Sequence, residues 1–356
     1  MVHYTPLEVF KVRTVTRCTH TLPGHTAAIL HVSFSPDGNM LATGGGDATV
    51  RFWDIHTCTP IVTCSGHKNH VLCTSWSPDG RQFASADRNG VLKLWDPKNG
   101  EEQGASKVMK HRKWVTSLCW EPHHRNVTCE RFLSSSKDHT TKVWNARTGR
   151  CETTLPGHTD SVEDCKWGGS GMIYTASRDR TIKVWVVSGP DNDVQVGHYK
   201  LIRTLTGHAH RINTLALSCD YVCRTGAYEH NNVKFADPTA MYDAAVERYQ
   251  RMCGAAQERL VSGSDDFTLF IWTPLESKQP LSRLTGHAQA VNHISFSPDG
   301  RYFASAGFDK KVKVWDGFTG KFKATLTGHV GAVYQVRVSH WVLVGCRVRG
   351  VWAGAV

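Results

Sequence analysis

The sequence contains no Cys-x-x-Cys pair, although it has 12 cysteines; the nearest two are Cys219 and Cys223. Zinc knuckles need such pairs, so no metal site is expected, and the thiols read as small buried hydrophobes of a reducing compartment. No apolar run approaches the roughly 18 residues that would announce a membrane span. The opening stretch MVHYTPLEVFKVRTVTR lacks the apolar core of a secretory signal, which points to the cytosol or nucleus. The Asn-Val-Thr sequence at Asn126 then has no glycosylation route. Also missing are a Gly-x-Ser-x-Gly elbow, a His-Glu-x-x-His motif and a phosphate loop. Nothing therefore points to an enzyme, a cofactor or a small-molecule substrate.

What the sequence does have is positive charge: 42 Lys+Arg against 31 Asp+Glu, with 20 His besides, for a net +11. Such a balance favours polyanionic surroundings through phosphate contacts and counterion release. No arginine-rich tract or RNA-binding motif accompanies it, so charge alone names no ligand. At 40% hydrophobic and 21% charged residues, the chain has the composition of a packed globular protein.

One recurring pattern decides the fold. A histidine stands at His25, His67, His111, His158, His208, His287 and His329, after Gly everywhere except Lys110-His111. The intervals are 42, 44, 47, 50, 79 and 42 residues. Downstream of the first six lie Trp53, Trp95, Trp144, Trp185, Trp272 and Trp315. Six positions before each Trp stands Asp47, Asn89, Asp138, Asp179, Asp266 or Asp309, and four further back a small hydroxyl: Thr43, Ser85, Ser134, Thr175, Ser262 or Ser305.

Between these markers the chain alternates like short strands. ILHVSFSPDG, MLATGG and TVRFWD read as three strands with a Ser-Pro-Asp-Gly turn after the first, and a fourth leads to the next Gly-His. Units of four antiparallel strands at this period make an all-β fold, a β-propeller of the WD40 type. It is expected to have six complete blades and an incomplete seventh. Trp-Asp pairs at 53–54, 95–96 and 315–316 carry the family's signature; elsewhere the Asp becomes Asn145, Val186 or Thr273.

In proteins of this type the His, hydroxyl, Asp and Trp indole form one hydrogen-bonded chain, and an unmatched buried member would cost about 1–3 kcal/mol. Asn89 is expected to accept in the Asp role of unit two. Ser, His and Asp also compose a catalytic triad, but a triad occurs once, beside a cleft with an oxyanion hole. Six copies at structural spacing are architecture.

The fifth unit is longer than the others by about 36 residues. Its insert, at about 219–257, contains DPTAMYDAAVERYQRMC, in which Asp237 can cap and Pro238 suits the first turn of a helix. Met241, Tyr242, Ala245, Val246, Tyr249, Met252 and Cys253 fall on one stripe, so the helix is expected to pack that face onto the propeller or to present it to a partner.

FKVRTVTRCTHTLPGH, WSPDGRQFAS, LALSCDYVCRTGAYE with its helical insert, and ERLVSGSDDFTLFIWTPLESKQPLSRLTGH closely resemble the Notchless family of WD40 proteins. The resemblance runs from about residue 9 to residue 337. It implies an eight-bladed propeller preceded by a ubiquitin-like domain. It also implies a non-catalytic role in assembly and maturation of the large (60S) ribosomal subunit, in the nucleolus and nucleus, and a link to Notch signalling. The implied partner is the pre-60S particle, through ribosomal proteins or rRNA. The ubiquitin-like domain is the part gripped by the ATPase midasin, and residues 1–8 do not match it, so no midasin-contacting acidic residue has a counterpart here. The alternative is a WD40 adaptor in signalling or a ubiquitin-ligase substrate receptor.

Propellers bind through the face where the loop after Gly-His meets the loop between strands two and three. Arg88, Lys137, Arg178, Asp265 and Phe308 precede the marker acids there, joined at the start of strand one by His70, Trp114, Glu163, Arg211, Asn213 and Asn292. His70, Arg88, Trp114, Lys137, Arg178 and Arg211 form the candidate partner-binding group, a Trp among cations suited to a phosphate backbone or an acidic protein patch. The repeat then stops. TGHVGAVYQVR opens a seventh unit, but residues 338–356, VSHWVLVGCRVRGVWAGAV, match no strand of the repeat and are expected to be an aberrant tail, from intron read-through or an alternative last exon. The segment RTVTRCTHTL is expected to complete the last blade of a closed ring.

Overall fold

The computed structural model describes residues 20–103, 109–187, 199–229, 235, 237–253, 257–339, 342–348 and 351–353. Blade one is a meander of β1 (Ile29–Phe34), β2 (Met40–Gly45), β3 (Thr49–Asp54) and β4 (Pro60–Ser65), paired antiparallel in that order. Blade two has β5 (Val71–Trp76), β6 (Phe83–Asp87) and β7 (Leu92–Trp95). Blade three has β8 (Val115–Trp120), β9 (Arg131–Ser136), β10 (Thr141–Asn145) and β11 (Cys151–Leu155). Blade four follows with β12 (Val162–Trp167), β13 (Ile173–Ser177), β14 (Thr181–Val187) and β15 (Tyr199–Thr206). Blade five holds β16 (Ile212–Leu217), β17 (Leu260–Ser264), β18 (Leu269–Trp272) and β19 (Ser282–Leu284). Blade six holds β20 (Val291–Phe296), β21 (Tyr302–Gly307), β22 (Val312–Asp316) and β23 (Phe322–Leu326).

Two sheets depart from the four-stranded expectation. Blade two has three strands among the described residues. Isolated bridges Val91↔Lys110 and Trp95↔Glu102 hold its outer edge where a fourth strand would run. The seventh sheet contains β24 (Val333–Ser339), β25 (Val342–Val348) and β26 (Val351–Ala353). The backbone after Arg337 thus continues as strands, Val333 pairing with Val348 and Ser339 with Val342, although the stretch carries none of the repeat markers. Trp341 and the segment 1–19, where the closing strand was expected, lie outside the described residues.

The core lies between blades, because each small sheet is covered on one face by the next. Phe52 of blade one meets Trp76 and Phe83 of blade two edge-on, with centroids 5.4 and 4.9 Å apart. Fully burying such a ring contributes about 1.5–3 kcal/mol. First strands also pack in succession, β1 on β5, β5 on β8, and so to β20 on β24. Inner-strand groups sew neighbours together: Trp76 donates to the Ser33 carbonyl at 3.1 Å and Trp120 to that of Ser75 at 3.1 Å.

The blade-five insert forms α1 (Asp220–Thr225) and α2 (Pro238–Cys253). They cross the turns between strands one and two of blades two, three and four. Tyr249 stacks on His124 of blade three, centroids 3.9 Å apart and planes 12° from parallel. The Tyr228 hydroxyl donates to the Asp79 carbonyl of blade two at 3.3 Å. Met241 and Ala245 of the expected stripe are buried, but Met252 is exposed. Arg248 is buried instead, donating to the Thr225 hydroxyl (2.8 Å) and the Gly226 carbonyl (2.7 Å). The docking site explains one irregular turn. Where blades one, two and six carry Ser-Pro-Asp-Gly, blade four has Gly168-Gly169-Ser170-Gly171, and a Cβ on Gly169 would lie 2.2 Å from the Tyr249 ring.

Candidate functional site

Each blade interior holds the same buried chain of hydrogen bonds. In blade five, Trp272 Nε1 donates to Ser262 Oγ at 2.9 Å, Ser262 Oγ meets His208 Nε2 at 2.8 Å, and His208 Nδ1 meets Asp266 Oδ2 at 2.9 Å. One direction satisfies every group: indole to hydroxyl, hydroxyl to a neutral imidazole, imidazole N–H to carboxylate. The other Asp266 oxygen takes the Thr268 amide at 2.9 Å, closing the turn before β18. The set recurs with Thr43, His25, Asp47 and Trp53, with Ser134, His111, Asp138 and Trp144, with Thr175, His158, Asp179 and Trp185, and with Ser305, His287, Asp309 and Trp315.

Blade two corrects the sequence reading. His67 Nε2 meets Ser85 Oγ at 2.7 Å, and Trp95 donates to the same oxygen at 2.7 Å, but His67 Nδ1 meets Asp87 at 3.2 Å. Asp87, the last residue of β6, also takes the amides of Asn89 (2.8 Å) and Val91 (2.9 Å). It therefore fills the role expected of Asn89, whose side chain instead accepts from Asn69 at 3.0 Å. Gly90, at φ 84°, completes that turn; a Cβ there would lie 2.6 Å from the carbonyls of His111 and Lys113.

Electrostatics match the geometry. Burial by itself raises the Asp138 carboxyl, yet hydrogen bonds from His111 and Thr140 outweigh it and hold it well below the usual range. Asp47 lies at about 2 by the same balance, with Thr49 and His25 as donors. Burial pushes His111 and His287 down, keeping them neutral acceptor–donor links. Cys129 and Cys165 are buried thiols pushed far up by desolvation. Among the described residues no group of His, Cys, Asp or Glu could hold a metal, and no helix is long and apolar enough to cross a membrane.

At the rim, one backbone bond repeats in six blades. The amide of the residue ahead of the marker turn donates to the carbonyl of the residue leading into strand one. The pairs are Gly46 to Ala28 (2.8 Å), Arg88 to His70 (3.0 Å), Lys137 to Trp114 (2.9 Å), Arg178 to Ser161 (2.9 Å), Asp265 to Arg211 (3.1 Å) and Phe308 to Ala290 (2.9 Å). The scaffold is constant and the side chains are not.

Of the candidate face residues, the structure brings Arg88, Trp114 and Lys137 into contact. The Arg88 guanidinium lies 4.3 Å from the Trp114 ring centroid and the Lys137 ammonium 5.4 Å from it. Arg178 stands exposed beside them, across a cleft of about 250 Å³ shared with Trp114 and Lys137. Arg211 is drawn away: its Nε sits 2.5 Å from Asp265, which neutralises it. His70 is half-buried, and its carbonyl takes the Arg88 amide at 3.0 Å. Asn213 and Asn292 serve the joints between blades, donating to the carbonyls of Val291 and Val333 at 2.9 Å each. Glu163 lies 3.9 Å from Lys137.

Sequence reasoning missed the other half of this region. A cleft of about 660 Å³ on the blade-two side of Trp114 is lined by Lys68, Arg88, Lys93, Lys110, Arg112 and Lys113. Its signal in the sequence is the run Lys110-His111-Arg112-Lys113-Trp114, masked by the repeat marker His111 at its centre.

The WD domain, G-beta repeat model matches residues 16–54, 58–96, 105–145, 149–186 and 278–316, leaving unmatched the unit that carries the insert. Protein Notchless of Drosophila melanogaster is 48% identical over 301 residues, 83% of this chain and 59% of that protein. Notchless protein homolog of Arabidopsis thaliana is 50% identical over 328 residues, 92% of this chain and 67% of that protein. Ribosome assembly protein 4 of Saccharomyces cerevisiae is 45% identical over 328 residues, 90% of this chain and 62% of that protein. The chain thus spans about three-fifths to two-thirds of the length of these relatives. By repeat, insert and half-identical relatives alike, the chain belongs to the Notchless family of WD40-repeat β-propeller proteins.

Proposed function

We propose that this chain is a non-catalytic scaffold in assembly of the large ribosomal subunit, working in the nucleus and nucleolus. The supporting observation is its 45% identity, over 90% of its length, to a protein named for ribosome assembly. A face of exposed cations suits a particle built on RNA. A non-catalytic role is supported by the blade interiors, where every marker hydroxyl is buried and bonded to both an indole and an imidazole. None of them can reach a substrate.

The partner in this reading is a pre-60S particle, through ribosomal proteins or rRNA. Gradient sedimentation of nuclear extract containing the tagged full chain tests it. Co-migration with pre-60S particles that weakens as salt rises is the expected result; migration only as free protein would overturn the reading. A second reading, an adaptor in Notch signalling, rests on the relatives' name Notchless and predicts recovery with a receptor tail in place of ribosomal proteins.

A further inference from the structure

We infer that the two clefts beside Trp114, on blades two to four, are a binding track for RNA, with phosphates on the lysines and arginines and a base stacked at the Trp114–Arg88 pair. The inference rests on the ribosome-assembly reading and assigns the ligand of its face.

Trp114 is anomalous. It is 39% exposed, whereas the nine other tryptophans whose side chains are described are buried. Among the described residues its indole makes no hydrogen bond, and the Arg88 guanidinium and the Lys137 ammonium lie against its ring. An indole and a guanidinium in contact offer a flat, cationic platform of the kind on which unpaired bases stack.

Most of the cations around it have no ion-pair partner, the exceptions being Lys137 near Glu163 (3.9 Å) and Lys93, paired with Glu102. Lys68, Arg88, Lys110, Arg112, Lys113 and Arg178 are all exposed, and among the described residues no ion pair joins any of them to a carboxylate. The carboxylates that line the clefts are already engaged. Asp87 is bonded to His67 and two turn amides, and Asp160 takes the Ser161 amide at 2.6 Å. Blade five shows the contrast, since Arg211 there has its own Asp265.

The two clefts adjoin through Lys113 and Trp114, which line both. A cationic surface continuing over three blades fits an extended polyanion better than a single phosphate. An Asp/Glu-rich peptide would pair with the cations but lay only short aliphatic stems on the indole, whereas an unpaired base stacks on its whole face. RNA uses both.

The test is fluorescence anisotropy of the full chain with a labelled single-stranded 20-nucleotide RNA, at several salt concentrations, beside a labelled Asp/Glu-rich peptide. The expected result is RNA binding that Trp114→Ala weakens about tenfold with little change of salt slope, in line with the loss of one stacked base. Arg112→Ala with Lys113→Ala should instead flatten the salt dependence by about 1.4 in log–log slope, two single-strand phosphate contacts. Lys98→Ala with Arg147→Ala, equal charge removed from the strand three–four turns at the opposite rim, should leave affinity nearly unchanged. Binding of the peptide in preference to RNA, or RNA binding indifferent to Trp114, would overturn the inference. Thermal melts verify that each variant is folded. Loss of RNA binding with particle co-sedimentation intact would sink this inference alone, whereas no co-sedimentation with RNA binding intact would sink the assembly reading.

Discussion

The inside of the blades and their rim use the same repeat in opposite ways. Inside, six units spend the same residue types on the same bonds, down to Trp-to-hydroxyl distances between 2.7 and 3.1 Å. At the rim, the same backbone bond presents Gly beside Ala, Arg beside His, Lys beside Trp, Arg beside Ser, Asp beside Arg and Phe beside Ala. The first pattern is what folding needs, because each blade must satisfy its own buried polar groups. The second is free of that demand: the backbone bond holds the rim, so the side chains there vary from blade to blade, as a face that discriminates between partners would require. Blade two shows how strictly the interior is held: its acid moves two positions, and the bond to histidine is still made.

The largest effect should come from breaking an interior chain. Ser262→Ala leaves the Trp272 indole and His208 Nε2 without partners in a buried site, at about 1–3 kcal/mol for each. Chemical denaturation should show a lowered midpoint, and an unchanged midpoint would mean that the chain of bonds is decorative.

Next comes the insert. Gly169→Val drives a side chain into the Tyr249 ring, and such overpacking costs about 1–3 kcal/mol. Hydrogen exchange should then accelerate across residues 238–253 while β12 and β13 stay protected. Uniform acceleration would show that the helix is not a separable element.

A smaller effect should follow pH. His111, His287 and His293 are held by burial below the ordinary 6.5 of histidine. Between their folded values and 6.5 the unfolded chain takes up protons that the folded chain refuses, so stability is full above pH 6.5 and falls as pH drops below it. Glu121, Asp164 and Glu258 are pushed upward by burial and offset part of this loss. Melting temperature should therefore be level from pH 8 to 7 and decline toward 5.5; a rise on acidification would contradict the histidine account.

Much of this was legible in the sequence. Four residue types at fixed offsets gave the blades, and Asp237-Pro238 gave the start of the helix. The rest was hidden for physical reasons. Spacing counted back from Trp95 landed on Asn89, yet a carboxylate at the end of β6 reaches the same imidazole, so the chemistry at Asp87 outweighed the count. Helix periodicity named the apolar stripe of α2 but not Arg248, whose burial depends on carbonyls and hydroxyls brought in by α1. The Gly-Gly-Ser-Gly turn carries no sequence signal of its purpose, which the docked Tyr249 supplies. At the rim, sequence placed Arg88, Trp114 and Lys137 together by analogy of position, while the neutralisation of Arg211 needed the Asp265 distance.

The central claim is that the interior chains carry stability and the rim side chains do not. Thermal unfolding of Asp87→Ala, Asn89→Ala and Trp114→Ala, side by side with the parent chain, tests it most directly. Asp87→Ala should melt several degrees lower, having lost a histidine partner and two turn amides, while Asn89→Ala and Trp114→Ala should melt within about 0.5 kcal/mol of the parent. Equal melting of Asp87→Ala and the parent, or a large loss from Trp114→Ala, would contradict it.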